Sequence, residues 1–200
     1  MRSVFEFIVQ PKEGRNTNII EVDNQELILN TELGNHNYVS RIGVVKSIPF
    51  GNPSNIEVGD EVIVHHNVFR RFRDIRGAEK NSKSYYKEDM FFVATDQIFA
   101  YKREDKWKPI KGFNFVQPIE YDDMFSMDNE EPLKGILVYK DDSLKSVKEN
   151  DLIGFEPGCE YEFIINGQRL YRVPTNSITI KYEYQGHETK YNSRWASSSN

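Results

Sequence analysis

Cysteine is almost absent from this chain: Cys159 is the single one in 200 residues. A disulfide framework or a cysteine-based metal cluster within one chain is therefore excluded. No apolar run approaches the roughly 18 residues that a membrane-spanning helix needs. The first residues, MRSVFEFIVQ, place Glu6 inside their apolar stretch and lack a small-residue cleavage site, so they do not read as a secretory signal. Basic charge is in deficit, with 26 Lys and Arg against 31 Asp and Glu and a net charge of −5. That balance disfavours a nucleic-acid partner for the chain as a whole. Long apolar periods of 3.6 residues are missing too, so little helix is expected. A soluble protein of the reducing cytoplasm, away from the membrane, is the expectation.

Catalytic constellations are also missing. His65 and His66 are adjacent in an expected strand, where their side chains would point to opposite faces and could not grip one metal. His36 and His187 lie in polar stretches. Neither common glycine-rich phosphate loop occurs, and no serine sits in a G-x-S-x-G turn. Cys159, in EPGCEYEF, has acidic neighbours that oppose a low-pKa thiol. The acidic pairs Asp122-Asp123, Glu130-Glu131 and Asp141-Asp142 lack the spacing of a calcium loop and read as solvated turns. No enzyme activity, cofactor or metal is expected.

What the chain does have is β-forming residues: 11 Tyr and 13 Phe, with many Val and Ile. It also repeats itself. Val9-Gln10-Pro11 recurs as Val116-Gln117-Pro118, 107 residues on. Gly43-Val44-Val45 aligns with Gly135-Ile136-Leu137 at 92, and IEVGDEVIV (56–64) with VKENDLIGF (147–155) at 91. MFFVATDQIFAYK (90–102) aligns with LYRVPTNSITIKY (170–182) at 80. The order is kept and the offsets only shrink, which fits a tandem repeat whose second copy has three shortened segments.

Each copy reads as short strands separated by turn signals. VFEFIVQ ends at Pro11, RIGVVKSI is closed by PFGNPSN, and DEVIVHH, DMFFVAT and QIFAYK follow. In the second copy EYEFIINGQRLYRV reads as a hairpin turning at Asn166-Gly167, and SITIKYEY is the last strand. The expected fold is all-β: two tandem small barrels over 1–105 and 111–184, with a flexible tail over 185–200.

The copies differ in two places. Between Pro11 and Gly43 lie 31 residues, against 16 between Pro118 and Gly135. A connection that long is usually functional or disordered. It carries Ile19-Ile20 and Leu27-Ile28-Leu29, which form either an extra strand pair in the core or a mobile loop (12–42) that offers apolar side chains to a partner. The second difference is the stretch 67–87. It holds Arg70, Arg71, Arg73, Arg76, Lys80, Lys83 and Lys87 against only Asp74 and Glu79, while 118–160 holds twelve acidic residues against four basic. The basic stretch reads as a solvated hairpin, a patch meeting the acidic second copy of a neighbour, or a nucleic-acid surface with Phe69, Phe72, Tyr85 and Tyr86 as stacking groups.

The first copy resembles the GroES-type co-chaperonins. The resemblance rests on FEFIVQPKE, a long loop with an apolar triplet, RIGVVKSIPFG, IEVGDEVIV and YYKEDMFFVATDQIFAY, in that order, and covers 4–101. The second copy is similar over 113–182, with Glu149-Asn150-Asp151 in place of the V-G-D form. Membership would imply GroES-like β-barrels in a homo-oligomeric ring that caps an ATP-driven, GroEL-type chaperonin in its nucleotide-bound state. It would imply that Leu27, Ile28 and Leu29 dock on that chaperonin, with Ile19 and Ile20 as secondary candidates and Met124, Phe125 and Met127 as weaker ones in the second copy. The short PFGNPSN connection implies an open-topped ring, as in phage-encoded members. The alternative reading is a phage or virion structural protein that reuses the same barrel for assembly contacts.

Overall fold

The computed structural model describes residues 3–15, 19–22, 25–28, 39–52, 54–121, 130–183 and 188–191. The chain forms two compact units, Met1–Lys106 and Trp107–Asn200, dividing inside KREDKWKPIKG. The fold is all-β, and the helical pieces among the described residues are the 3-10 turns Thr95–Gln97 and Thr175–Ser177.

In chain order the first unit runs β1 (Phe7–Pro11), β2 (Ile19–Val22), β3 (Gln25–Ile28), β4 (Ile42–Ser47), β5 (Glu61–Val64), β6 (Arg71–Arg73), β7 (Glu79–Asn81), β8 (Tyr85–Lys87), β9 (Met90–Val93) and β10 (Ile98–Arg103), and β11 (Lys106–Pro109) spans the division. The second continues with β12 (Phe113–Glu120), β13 (Glu130–Tyr139), β14 (Leu152–Phe155), β15 (Tyr161–Ile165), β16 (Gln168–Pro174) and β17 (Ile178–Lys181). Period-2 patterning places the strands: in β9, Phe91 and Val93 are buried while Met90 and Phe92 are half-buried. Phe7, Val9, Val45, Val62, Phe91, Val93 and Phe99 fill the first core, all at 0% exposure. Each such side chain contributes about 1.5–3 kcal/mol relative to an exposed one.

The two units share one topology. The first sheet has the order β10-β5-β4-β1-β9-β8, with β11 beyond β10, and the second has β17-β14-β13-β12-β16-β15. Six strands therefore correspond one to one. The register corresponds as well: Val9, Gln10 and Pro11 stand opposite Val45, Val44 and Gly43, and Val116, Gln117 and Pro118 opposite Leu137, Ile136 and Gly135. Six of the seven members of the second unit's buried cluster, Val116, Leu137, Val147, Ile153, Phe155 and Val173, map at the sequence offsets onto Val9, Val45, Ile56, Val62, Val64 and Val93, all buried; Leu144 is the seventh. The turn before β5 and that before β14 match too. Glu57 N–H donates to Asp60 Oδ2 at 2.9 Å, and Lys148 N–H to Asp151 Oδ2 at 2.7 Å. Gly59 (φ +98°) and Asn150 (φ +71°) take the left-handed conformation there, which explains how E-N-D replaces V-G-D: Asn is the side chain that tolerates this region best.

The expectation of closed barrels is corrected. The hydrogen-bonded ladders of the described residues do not close into barrels. The terminal strands β8 and β17 are only three and four residues long, and β11 occupies the outer edge of β10. The strand holding Val116-Gln117-Pro118 does not end at its proline but continues to Glu120, through an irregularity after Pro118, where a missing N–H is tolerated. Residues 188–191, expected in the tail, pair beside it: Tyr191 N–H donates to Pro118 O and Glu120 N–H to Thr189 O, at 2.9 and 2.8 Å. The Asn166-Gly167 hairpin forms as expected, joining β15 to β16 with φ +49° and +68°.

Candidate docking site

Two excursions distinguish the first unit from the second. The first leaves β1 and returns to β4. Its base is zipped by Lys12 N–H to Ile42 O and Ser40 N–H to Arg15 O, both at 3.0 Å. Farther out, β2 and β3 form an antiparallel pair with Ile19 opposite Ile28 and Ile20 opposite Leu27. The two apolar groups singled out in sequence are thus brought to facing positions of one hairpin, the backbone of a strand pair. Leu29, the third member of the triplet, lies outside the described residues, as do Met124, Phe125 and Met127 of the second unit.

The second excursion is the basic stretch, and it is a hairpin. Val68 and Phe69 root it in the core, both fully buried, with the Phe69 ring edge-on to Phe91 at 5.0 Å. Ser82 Oγ donates to Val68 O at 2.6 Å and closes the base. Beyond this, Phe72 stands opposite Lys80 and Arg73 opposite Glu79. Arg71 pairs with Glu79 at 2.9 Å. Among the described residues Arg73, Arg76 and Lys83 make no ion pair. The tip is fixed by Asp74 Oδ1, which accepts from Arg76 N–H at 2.9 Å and Ala78 N–H at 3.0 Å. Ile75 at that tip is 103% exposed.

Arg15 joins the two excursions. Its Nε donates to Phe69 O at 3.2 Å and its Nη1 to Asn81 Oδ1 at 2.7 Å, and its guanidinium lies 5.0 Å from the centre of the Phe91 ring. Burial first, and then the neighbouring charge of Arg71, lower its pKa. No sequence signal marks Arg15, because its partners lie 54 and 66 residues away.

An open apolar groove of about 490 Å³, lined by Val4, Phe5, Ile8, Tyr86 and Phe92, runs beside β8. Phe5 is 86% exposed on it.

The remaining sequence candidates fall to structural roles. β5 stops at Val64, so His65 and His66 lie past the strand and their rings sit 4.3 Å apart instead of on opposite faces. His36, His187, Asp122 and Asp123 lie outside the described residues. Among the described residues no group of three or more His, Cys, Asp or Glu stands placed to hold a metal, and no helix is long and apolar enough to cross a membrane. Burial pushes the Cys159 thiol up, against a hydrogen bond from Ser177 and with Glu160 adding to the rise, and Sγ donates to Glu156 O.

Glu130 belongs to a network: Arg169 Nη1 reaches its Oε2 at 2.6 Å, Tyr171 Oη its Oε1 at 2.7 Å, and Arg169 Nε meets Glu162 at 2.9 Å. Burial and the hydrogen bond to Glu130 push the Tyr171 phenol far above its ordinary value. Asp141 accepts from Gly112 N–H at 2.9 Å and from the Ser143 hydroxyl. Its own N–H donates at 2.9 Å to the fully buried Asn114, whose amide donates to Thr175 Oγ1 at 3.0 Å. These carboxylates are spoken for by neighbours that hold strands and turns.

No protein-family model matches the chain, and no curated protein matches it.

Proposed function

We propose that this chain is a tandem GroES-like co-chaperonin, a non-enzymatic ring-forming cap for a nucleotide-bound GroEL-type chaperonin. The observation that carries the reading is the β2–β3 excursion. Among the described residues it is found between β1 and β4 of the first unit and not between β12 and β13, and it places Ile19-Ile20 opposite Leu27-Ile28. On this reading the hairpin is the docking element and Leu27, Ile28 and Leu29 its contact residues, with Ile19 and Ile20 as secondary candidates. Extended segments that offer apolar side chains bind grooves in this manner. Several weak contacts on one particle then add up to firm capture.

The test is capture of the purified chain by a GroEL-type chaperonin, with and without nucleotide. Nucleotide-dependent capture is expected, with loss in the triple variant Leu27→Ser, Ile28→Ser, Leu29→Ser at unchanged β circular dichroism. Capture retained by that variant refutes the docking assignment. Incorporation into a virion without capture favours the structural-protein alternative.

A further inference from the structure

We infer that the β6–β7 hairpin is a self-association element: it docks on the acidic second unit of another copy of this chain. The inference rests on the ring-forming part of the proposed function and names the surface that makes the ring.

The hairpin has the form of a plug. It is rooted in the core by Val68 and Phe69, while the residues from Phe72 outward are almost all exposed. A two-stranded ribbon alone is marginal in water. This one presents Phe72 at 40% exposure, Ile75 fully exposed at a tip held by Asp74, the ion-pair-free cations Arg73 and Arg76 on either side of Ile75 in the chain, and Lys83 just past the base. An apolar centre inside a rim of charge is the anatomy of a protein–protein contact.

The matching charge lies on the same chain. Residues 118–160 hold twelve acidic groups against four basic. Of these Glu120, Asp142 and Glu156 are exposed, and none has an ion pair among the described residues. The second unit has no equivalent of the hairpin, its β14 and β15 being joined directly over 156–160. A contact from the hairpin of one copy to the second unit of the next is therefore between unlike surfaces. Such head-to-tail contacts close into rings or run on as filaments. Polyanions other than protein are disfavoured by the chain as a whole, whose net charge is −5.

The experiment is native mass by light scattering and analytical ultracentrifugation of the full chain across dilution and salt. Wild type is expected to form a multi-subunit particle that weakens as salt rises from about 0.05 to about 0.5 M. Arg73→Glu with Arg76→Glu, and separately Ile75→Ser, should each weaken association at least about tenfold. Asp142→Lys with Glu156→Lys should do the same, and mixing the two charge-reversed variants should restore assembly. These positions are exposed, so circular dichroism should not change. A wild-type chain that is monomeric throughout, or reversed variants that keep the wild-type mass, overturns the inference. Salt-sensitive binding of a labelled oligonucleotide that the Arg73/Arg76 variant loses, with mass unchanged, overturns it in favour of nucleic acid. Chaperonin capture by the same variants separates the two ideas: capture with no effect of reversal on mass leaves the proposed function standing without this surface, and assembly without capture does the opposite.

Discussion

Adding one methyl group at Gly43 or Gly135 tests whether the two units are built on the same register. A Cβ at Gly43 would stand 2.4 Å from Val9 Cγ1, 2.9 Å from Phe69 Cζ and 3.0 Å from Gln10 O; at Gly135 it would stand 2.5 Å from Gln117 O and 2.6 Å from Val116 Cγ1. Carbon atoms pack best at about 3.5–4.0 Å, so either alanine overlaps its neighbours by about an ångström. Overpacking of this kind costs about 1–3 kcal/mol. The alanine also restricts the unfolded chain, which returns about 0.4–1 kcal/mol. The net loss expected is therefore about 1–2 kcal/mol for each. Gly135→Ala should lie at the upper end, because its closest obstacle is a ladder carbonyl and not a side chain that can rotate. For a unit of this size each kcal/mol lowers Tm by about 4–8 °C. Scanning calorimetry of the full chain reads this directly, with each variant lowering the transition of its own unit. Melting of both variants within about 0.5 kcal/mol of wild type, inside the range of an unremarkable surface change, would refute the shared register.

Two further outcomes follow from single groups in the second unit. Asn150, at φ +71°, should accept Gly without loss, while Asn150→Val should cost about 1–2 kcal/mol in urea unfolding, since a branched side chain is strained in this region. Equal stability of the two variants would remove the explanation given for the E-N-D turn. Burial raises the pKa of Asp141, but hydrogen bonds from the Ser143 hydroxyl and the backbone N–H of Gly112 outweigh it, so the net shift is downward. The stability it contributes is then complete above about pH 4, the unfolded value, and is lost as pH falls through the lower folded value. Asp141→Asn should lower the stability of the second unit by about 1–2 kcal/mol at neutral pH. It should also flatten the acid limb of its urea midpoint against pH, and an unchanged limb would show that another carboxylate sets it.

The repeat was legible because its marks are geometric necessities. Proline removes a donor and glycine leaves room, so Pro11 facing Gly43 and Pro118 facing Gly135 survive as matching letters even where Val45 has become Leu137. The excursions were legible as excess length, and the basic one as charge. Whether the first is a strand pair or a loop was not, because Ile19-Ile20 and Leu27-Ile28 satisfy both patterns until the register pairs them. The histidine expectation failed on a boundary: facing alternates only while a strand continues, and β5 ends one residue before His65. Barrel closure failed for a related reason, since strand count says nothing about whether terminal strands are long enough to pair. Arg15, Asn114 and Arg169 were missed because what makes them matter is a partner tens of residues away.

One buried position shows how far the units have parted. Phe7 in the first unit corresponds to Asn114 in the second, and both are at 0% exposure. The first unit fills the place with a ring. The second fills it with an amide that ties Asp141 N–H to Thr175 Oγ1, and so binds the 139–144 segment to the turn before β17. A buried polar knot of this kind is stable only when every member is satisfied, and then it fixes one arrangement. The unit with the shorter loops is thus cross-braced from within by this amide, while the first unit has a ring at the same place and uses Arg15 to tie the bases of its two excursions together. On the proposed function this division has a consequence for avidity. Each chain supplies one docking hairpin for two units of scaffold, so a ring of a given number of units carries half the docking elements of a ring of single units. Capture of the chaperonin must then draw more on each hairpin, which is where a base tied by Lys12 N–H to Ile42 O and Ser40 N–H to Arg15 O helps: the smaller the entropy lost on docking, the more of each contact survives as binding.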